Sequence, residues 1–591
     1  MTLYKIHIDN RNYGSWTTFN ATTMEPLNVA DFNPTNHRIF TNDIFTHNNG
    51  KLEIVHSNMR VTENIPAVLI LADNKTYGRE RKLNDKNISK EGKLLYKCVP
   101  DDSRIPIFLV PYEIKQLGFS KVFTNLYVTI RFKEWNDKHP HAVLSQNIGP
   151  VDVIDNFYEY QLYCKSLNTS MQKFNKAASK AVKDYTTCSE KAEVHDTFIT
   201  SVCKKYNQIE DRCSWKTFTI DPASSLDYDD GFSIRKLDNE QTLLSIYIAN
   251  VTIWMDSLNL WSSFSQRIST IYLPDRKRPM LPTILSDCLC SLQENTRRFC
   301  FVVDILLDKD TNILSINYSN CIIKPFKNFA YEEPLLLNDP NYIFLLETSK
   351  KMASKYKYMP NVRNSHEVVC YLMILMNYYC AKEMLKYNNG IFRSTIIKNP
   401  VSLPHGLPDD VNQFIKTWNS VCGQYIDINT IDIEDRNKLM RHELLEMDAY
   451  IHITSPIRRL VDLLNMMQFQ LNHGLITLSQ DAIDFYKKWI EQIDYINVTM
   501  RAIRKVQTDC NLLDMCYNKP ATLEKIYDGY CFDKIIRNDG LFQYIVFLPE
   551  LRLASRITVR DDLENYGKGK YKLFLFSDEE RFKKKIRLQI I

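Results

Sequence analysis

The sequence predicts an α+β chain of several domains, and three observations carry that prediction. At 591 residues it is too long for a single hydrophobic core. Both ends are strand-rich, with short apolar stretches broken by turn residues. The centre runs strands first and long helices afterwards, the order of an α+β domain. Hydrophobic residues at 44% and charged residues at 25% fit a folded globular chain and exclude a disordered one.

Residues 1–65 and 66–150 read as two small β-barrels. Ala67–Ala72, Ile107–Val110 and Tyr127–Phe132 are apolar stretches separated by turns such as Asp73-Asn74-Lys75 and Pro100-Asp101-Asp102. OB folds are the natural solution for such a pattern. Lys75, Arg79, Arg81, Lys82 and Lys86 fit either an RNA-facing strand pair and loop or a solvated hairpin. Residues 151–194 turn helical, with Tyr158, Leu162, Leu167, Met171 and Phe174 at helical spacing and lysines opposite. In residues 195–520 a buried strand, Leu243–Val251, precedes helices expected at Ser365–Tyr387, Val411–Cys422, Ser455–Leu471 and Ser479–Gln507. Residues 521–591 return to strands at Lys525–Lys534, Gln543–Leu548 and Lys570–Phe576, a third barrel with a basic rim from Lys568 to Arg587.

Charge and cysteine usage bound the compartment. The net charge of +5 is small for a nucleic-acid binder, so any RNA path must come from local clustering. Fifteen cysteines without a CxxC pair read as reduced thiols. The first residues, MTLYKIHIDNRNYG, carry no basic-then-apolar signal pattern, and the apolar run Val368–Met376 is far short of a membrane span. These features predict a soluble, cytoplasmic chain with no membrane partner.

The chemistry concentrates in Phe218–Phe232, FTIDPASSLDYDDGF. Asp221, Asp227, Asp229 and Asp230 crowd into this run, and like charges a few ångströms apart raise one another's pKa. A hard divalent cation relieves the crowding, and Mg²⁺ typically takes one or two carboxylates plus water and substrate phosphate. The alternatives are a solvated acidic loop or a calcium loop. The calcium loop fits badly: counted from Asp227, its glycine position holds Phe232 and its glutamate position Asp238.

The spacing of these acids, with the second, third and fourth six, eight and nine residues after the first, resembles the signature of the RNase II/RNase R (RNB) family of hydrolytic 3′→5′ exoribonucleases. Two further blocks resemble the same family. Tyr272–Arg298, YLPDRKRPMLPTILSDCLCSLQENTRR, is similar to its YLP…PMLP…LS…LCSL…R stretch. Tyr450–Asp462, YIHITSPIRRLVD, is similar to YxHxTSPIRRYxD, with Leu460 in place of the second aromatic. The resemblance implies cold-shock-like barrels at 1–65 and 66–150, a connector at 151–194, an RNB catalytic domain at 195–520 and an S1-like OB barrel at 521–591.

It further implies that Asp221, Asp227, Asp229 and Asp230 hold one or two Mg²⁺ ions, with Asp229 and Arg458 catalytic. Tyr272 would stack on the terminal base of single-stranded RNA, a contact that accepts any base. Arg458 would meet the scissile phosphate, where a planar guanidinium fork suits phosphoryl oxygens. Arg459 would pair with a carboxylate or a second phosphate. Ser455 is expected as an N-cap with Pro456 in the first helical turn, aiming backbone amides at phosphate. The implied enzyme is a monomer that degrades RNA processively to 5′-nucleoside monophosphates.

Three positions depart from the family. Asn250 stands where the family has aspartate after Ile-Ala, and Met466-Met467 replace a His-Arg pair. Tyr371 stands where a helix usually offers a glutamate, with Glu367 one turn earlier as a substitute. None is an expected metal ligand. The competing reading is a non-enzymatic RNA-binding regulator on the same scaffold, and the retention of all four aspartates weighs against it.

Overall fold

The computed structural model describes residues 2–29, 32–48, 51–80, 92–114, 123–186, 191–206, 208–356, 361–396, 404–420, 423–578 and 582–591. The chain divides into two compact units. One comprises residues 1–168, 273–275 and 505–591, the other 169–272 and 276–504. Arg81, Lys82, Lys86 and Arg581, all expected to be basic contacts, lie outside the described residues.

In the first unit, the N-terminal strands form a four-stranded sheet in the order Trp16–Asn20, Leu3–Ile8, Ile44–Asn48, Lys51–His56. The next five close into a barrel: Ile65–Leu69, Leu94–Pro100, Phe108–Tyr112, His141–Pro150 and Leu126–Glu134. Sheet and barrel share one core, in which Phe40 and Phe45 join Phe108, Val128 and Trp135. The last five strands form a sheet ordered Leu553–Val559, Phe542–Leu548, Ile526–Ile536, Lys568–Asp578, Lys583–Ile590. Its two edge strands approach each other without a hydrogen-bonded ladder. Among the described strands, then, one of the three expected barrels closes fully.

The basic rim expected on this last sheet is partly consumed within the chain. Lys568 and Lys570 both pair with Asp528, at 2.9 and 2.5 Å, Lys585 pairs with Asp578, and Lys583 reaches Asp101 at 2.5 Å.

The second unit is built on a seven-stranded sheet. Its order is Glu210–Asp211, Ile313–Ile323, Arg298–Leu307, Thr242–Ala249, Asp230–Lys236, Phe218–Asp221, Lys327–Ala330. The ladders are antiparallel except at the two edges. One face alternates Phe232, Ile234, Leu244, Ile246, Ile248, Phe301, Val303 and Ile305, all buried against the helices that follow. The helix Ser365–Lys386 has the length and apolarity of a membrane span. Its Val368, Leu372, Leu375 and Met376 are nevertheless buried in this core, which makes it a core helix.

Two expected helices differ. The stretch Ser479–Gln507 is two helices, Gln480–Ile490 and Ile493–Asn518, and no Gly or Pro announces the break at Glu491-Gln492. The helix expected from Ser455 begins only at Leu460, so Ser455 is not its N-cap and Pro456 is not in its first turn. Arg459 is held extended there, at φ −137° and ψ 126°, because it bridges Ser269 and because the amide of Leu460 donates to the Ile268 carbonyl at 2.9 Å. These long-range backbone bonds outweigh the local helix signal.

Candidate active site

Asp221 ends one strand and Asp230 begins its antiparallel neighbour, so the loop between them returns both acids to the same edge. The Tyr272–Arg298 block fixes that loop. The Ser291 hydroxyl donates to the Leu226 carbonyl at 2.8 Å and accepts the Tyr228 amide at 3.1 Å, and the Leu292 amide donates to the Tyr228 carbonyl at 3.1 Å. Arg298, buried, donates to the Ser291 carbonyl at 2.7 Å. The Leu-Cys-Ser-Leu residues therefore serve as a clamp on the acidic loop.

The third block reaches the same place from its turn. The Arg458 carbonyl accepts the Thr270 amide at 2.9 Å and the Ser269 hydroxyl at 3.0 Å. The Ile457 amide donates to Asp229 Oδ1 at 2.9 Å, and Arg458 Nε donates to Asp229 Oδ2 at 3.0 Å. Ser455 Oγ accepts from both Arg458 and Arg459, each at 3.1 Å. The Ser455 amide donates to Asp462 Oδ1 at 2.8 Å, and Arg459 pairs with the fully buried Asp462 at 3.0 Å. Arg459 is thus spent on a structural carboxylate. Arg458 keeps a side chain 46% exposed although one nitrogen is tied to Asp229.

The acids are treated unequally. Asp229 has both oxygens engaged, yet burial pushes its pKa up to about 7 against the pull of Arg458 and the Ile457 amide. Asp221 and Asp230 are both raised above the ordinary carboxylate range, chiefly by burial; repulsion from Asp230 and Asp229 adds to the rise at Asp221. Each has one buried oxygen, Oδ2, without a hydrogen-bond partner among the described residues. Asp227 instead meets Lys277 Nζ at 3.0 Å through Oδ1 and the Tyr272 hydroxyl at 3.3 Å through Oδ2.

Among the described residues, no group of three or more His, Cys, Asp or Glu side chains forms a ready metal cage. The donor set is a pair of orphaned carboxylates beside a third locked to arginine. That set fits a magnesium ion, which asks for one or two carboxylates and fills its remaining positions with water and phosphate. Buried oxygens without a partner are costly, and a hard cation satisfies them.

Tyr272 is 39% exposed, as a base-stacking platform requires. Sequence reasoning missed Lys277, whose ammonium bridges Asp227 and Asp287, each at 3.0 Å. Burial alone would lower its pKa; hydrogen bonds and charge from Asp287 and Asp227 raise it. It also missed Tyr331, whose amide donates to the Asp221 carbonyl at 3.0 Å and whose ring stacks on His366 at 3.6 Å between centroids.

The three departures are structural. Asn250 is fully buried, caps the helix Val251–Ser257 by accepting the Ile253 amide, and donates to Asn320 and Gln470. Tyr371 and Met466 are fully buried in the core. Glu367 accepts the Arg363 amide at 2.5 Å, spent in the turn that starts its own helix.

The RNB domain family model matches residues 209–341, the stretch that holds the sheet, the clamp and the acidic pair. Parts of the chain are similar to proteins named Ribonuclease R and Exoribonuclease 2. Ribonuclease R of Ureaplasma parvum serovar 3 is 34% identical over 116 residues, 20% of this chain and 16% of that protein. Ribonuclease R of Buchnera aphidicola from Acyrthosiphon pisum is 25% identical over 338 residues, 45% of this chain and 46% of its own. The chain spans less than half the length of these curated relatives. Among solved structures, Mycoplasma genitalium RNase R in complex with ribose-methylated single-stranded RNA shares the fold over 100% of both chains, with a TM-score of 0.64 at 15% identity. The yeast pseudonuclease Ssd1 shares it over 97% of this chain and 80% of its own, at 0.56 and 12%.

Proposed function

We propose that this chain is a Mg²⁺-dependent 3′→5′ exoribonuclease that hydrolyses single-stranded RNA processively to 5′-nucleoside monophosphates. The observation that carries the reading is the buried acidic pair Asp221 and Asp230, each with a partnerless oxygen, beside an Asp229–Arg458 pair. Relatives named Ribonuclease R and Exoribonuclease 2 and an RNA-bound structural neighbour support the same class.

Asp221 and Asp230 would hold the ion, with Asp229 next to them. When bound, magnesium would supply Lewis-acid polarisation of the phosphodiester and a lowered pKa for water. The protein's own groups do the rest. Tyr272 stacks on the 3′-terminal base and holds it without sequence preference. Arg458, oriented by Asp229 and Ser455, offers its remaining donors to the phosphoryl oxygens as negative charge builds. Water is the nucleophile at phosphorus and the 3′-oxygen of the preceding nucleotide leaves with a proton, so the phosphate stays on the 5′ oxygen of the released nucleotide as a monophosphate. The chain works as a cytoplasmic monomer, with RNA also bound by the N-terminal sheet and barrel and by the C-terminal five-stranded sheet.

The test is Asp229→Asn. Mononucleotide release should fall by about 10²–10³ or more, the scale of losing one preorganised electrostatic group, while RNA binding survives. Turnover at the native rate would remove the acids from the mechanism. A second reading, an RNA-binding scaffold without cleavage, draws on the likeness to a pseudonuclease and on Tyr371 at the family's glutamate position. It predicts RNA retention that is indifferent to both magnesium and Asp229.

A further inference from the structure

Tyr272 and Lys277 face each other across a two-stranded ribbon, Ile271–Tyr272 paired with Lys277–Arg278. The pairing puts an ammonium and a phenol side by side, and both end on Asp227. Lys277 Nζ lies 3.0 Å from Asp227 Oδ1, and the Tyr272 hydroxyl lies 3.3 Å from Asp227 Oδ2. The ammonium is anchored from behind by Asp287, also at 3.0 Å, whose Oδ1 accepts the Ser286 hydroxyl at 2.6 Å. Asp287 sits on the short π-helix Ile284–Leu289, a short step from the Ser291 clamp. The lysine and both carboxylates are mostly shielded, at 23%, 10% and 17% side-chain exposure.

Asp227 therefore differs in kind from Asp221 and Asp230. Both of its oxygens are engaged and its charge is balanced by an ion pair, whereas each of theirs has an oxygen with no partner among the described residues. An acid already neutralised by a lysine gains little from a metal ion. An acid whose second oxygen orients a phenol is well placed to fix a ring.

We propose that Lys277 is a fixed internal cation of this site: anchored by Asp287, it neutralises Asp227, which then positions Tyr272 instead of ligating metal. Resting on the nuclease reading above, the proposal limits the acidic centre to one divalent ion, held by Asp221 and Asp230. Lys277 acts through Asp227 and Tyr272, so it is a positioning residue, and its loss weakens the grip on the terminal base.

The experiment titrates Mn²⁺, the probe for the magnesium position, into the full chain without RNA, by calorimetry and by electron paramagnetic resonance of free Mn²⁺. The native chain should bind one ion. Asp227→Asn should bind it within about twofold of native, and Asp221→Asn should weaken it by tenfold or more. Lys277→Met, by freeing Asp227, should admit a second ion. On a single-stranded oligoribonucleotide, Lys277→Met should raise KM about tenfold, the scale of one base stack, with kcat changed less than about threefold. Lys277→Arg should restore KM and the single ion. Asp287→Asn, which keeps the lysine but removes its anchor, supplies a second route should Lys277→Met fold poorly, and it should raise KM in the same direction.

Tenfold or greater loss of Mn²⁺ affinity in Asp227→Asn, two ions on the native chain, or no rescue by Lys277→Arg would each overturn the proposal and leave the nuclease reading standing. A native chain that binds no Mn²⁺ would sink both, and it is told apart because Asp221→Asn and Asp227→Asn would then be alike.

Discussion

The seven-stranded sheet buries carboxylates in two places and treats them in opposite ways. Asp304, opposite Ser245 in the ladder, accepts Arg212 at 2.8 and 2.6 Å and the Ser245 hydroxyl at 2.6 Å. Arg212 is also held by Glu210 and lies over the Trp215 ring. Two strands further along the sheet, Asp230 lies opposite Ile248 with an oxygen left over, and Asp221 has another. Within one sheet, a charge that serves the fold is paired to completion. The acids that the proposed function reserves for a ligand each keep an oxygen without a partner among the described residues.

Breaking the satisfied cluster should have the largest effect on stability. Asp304→Ala strands a buried guanidinium and should cost about 3–5 kcal/mol in urea denaturation, with the urea dependence unchanged. A loss under about 1 kcal/mol would mean that the two clusters are not different in kind.

A buried base sharpens the contrast at low pH. His442 is pulled down to about 4 by burial and by Arg393, and His452 well below its usual value by burial and by Arg459 and Arg393. A depressed histidine pKa contributes stability that is full above about 6.5 and drains away as pH falls toward 4. Lowering a pKa by one on folding is worth about 1.4 kcal/mol, so the histidine contribution, read in urea as the difference between the native chain and His452→Gln, should shrink by more than that between pH 6.5 and pH 4. His452→Gln should flatten this limb.

The smallest effect carries the most information about the site. Asp221 has a raised pKa, so it favours the fold while protonated and loses that contribution as pH climbs above the ordinary carboxylate range. Asp221→Asn should therefore make the metal-free chain more stable at pH 8 by about 1 kcal/mol, and should abolish stabilisation by magnesium. A destabilised variant that still responds to magnesium would place Asp221 with Asp304, among structural acids.

Much of this was legible in the sequence because the informative residues are short-range and chemically distinctive. Four aspartates at fixed spacing, Tyr272 before Leu-Pro and the Ser-Pro-Ile-Arg-Arg turn all meet at one place. What stayed hidden depends on distant partners. Ser455 and Pro456 read as a helix start, yet Ile268, Ser269 and Thr270, nearly two hundred residues earlier, hold the backbone extended. Lys277 carries no local signal, because its partners Asp227 and Asp287 lie fifty and ten residues away. Asn250 read as a departure from the family pattern and is a helix cap inside a buried amide cluster. The closing strands at the C-terminus looked like a basic rim, and several of those lysines are paired within the chain.

Whether the unfinished acidic pair holds a divalent ion for RNA hydrolysis is open to one direct measurement. The full chain is incubated with a 5′-labelled single-stranded oligoribonucleotide, with magnesium or with EDTA, and the products are resolved by length alongside nucleotide analysis. Stepwise 3′ shortening with 5′-monophosphate release is expected in magnesium, and bound but intact RNA in EDTA. RNA that stays intact and bound under both conditions would contradict the metal-dependent nuclease.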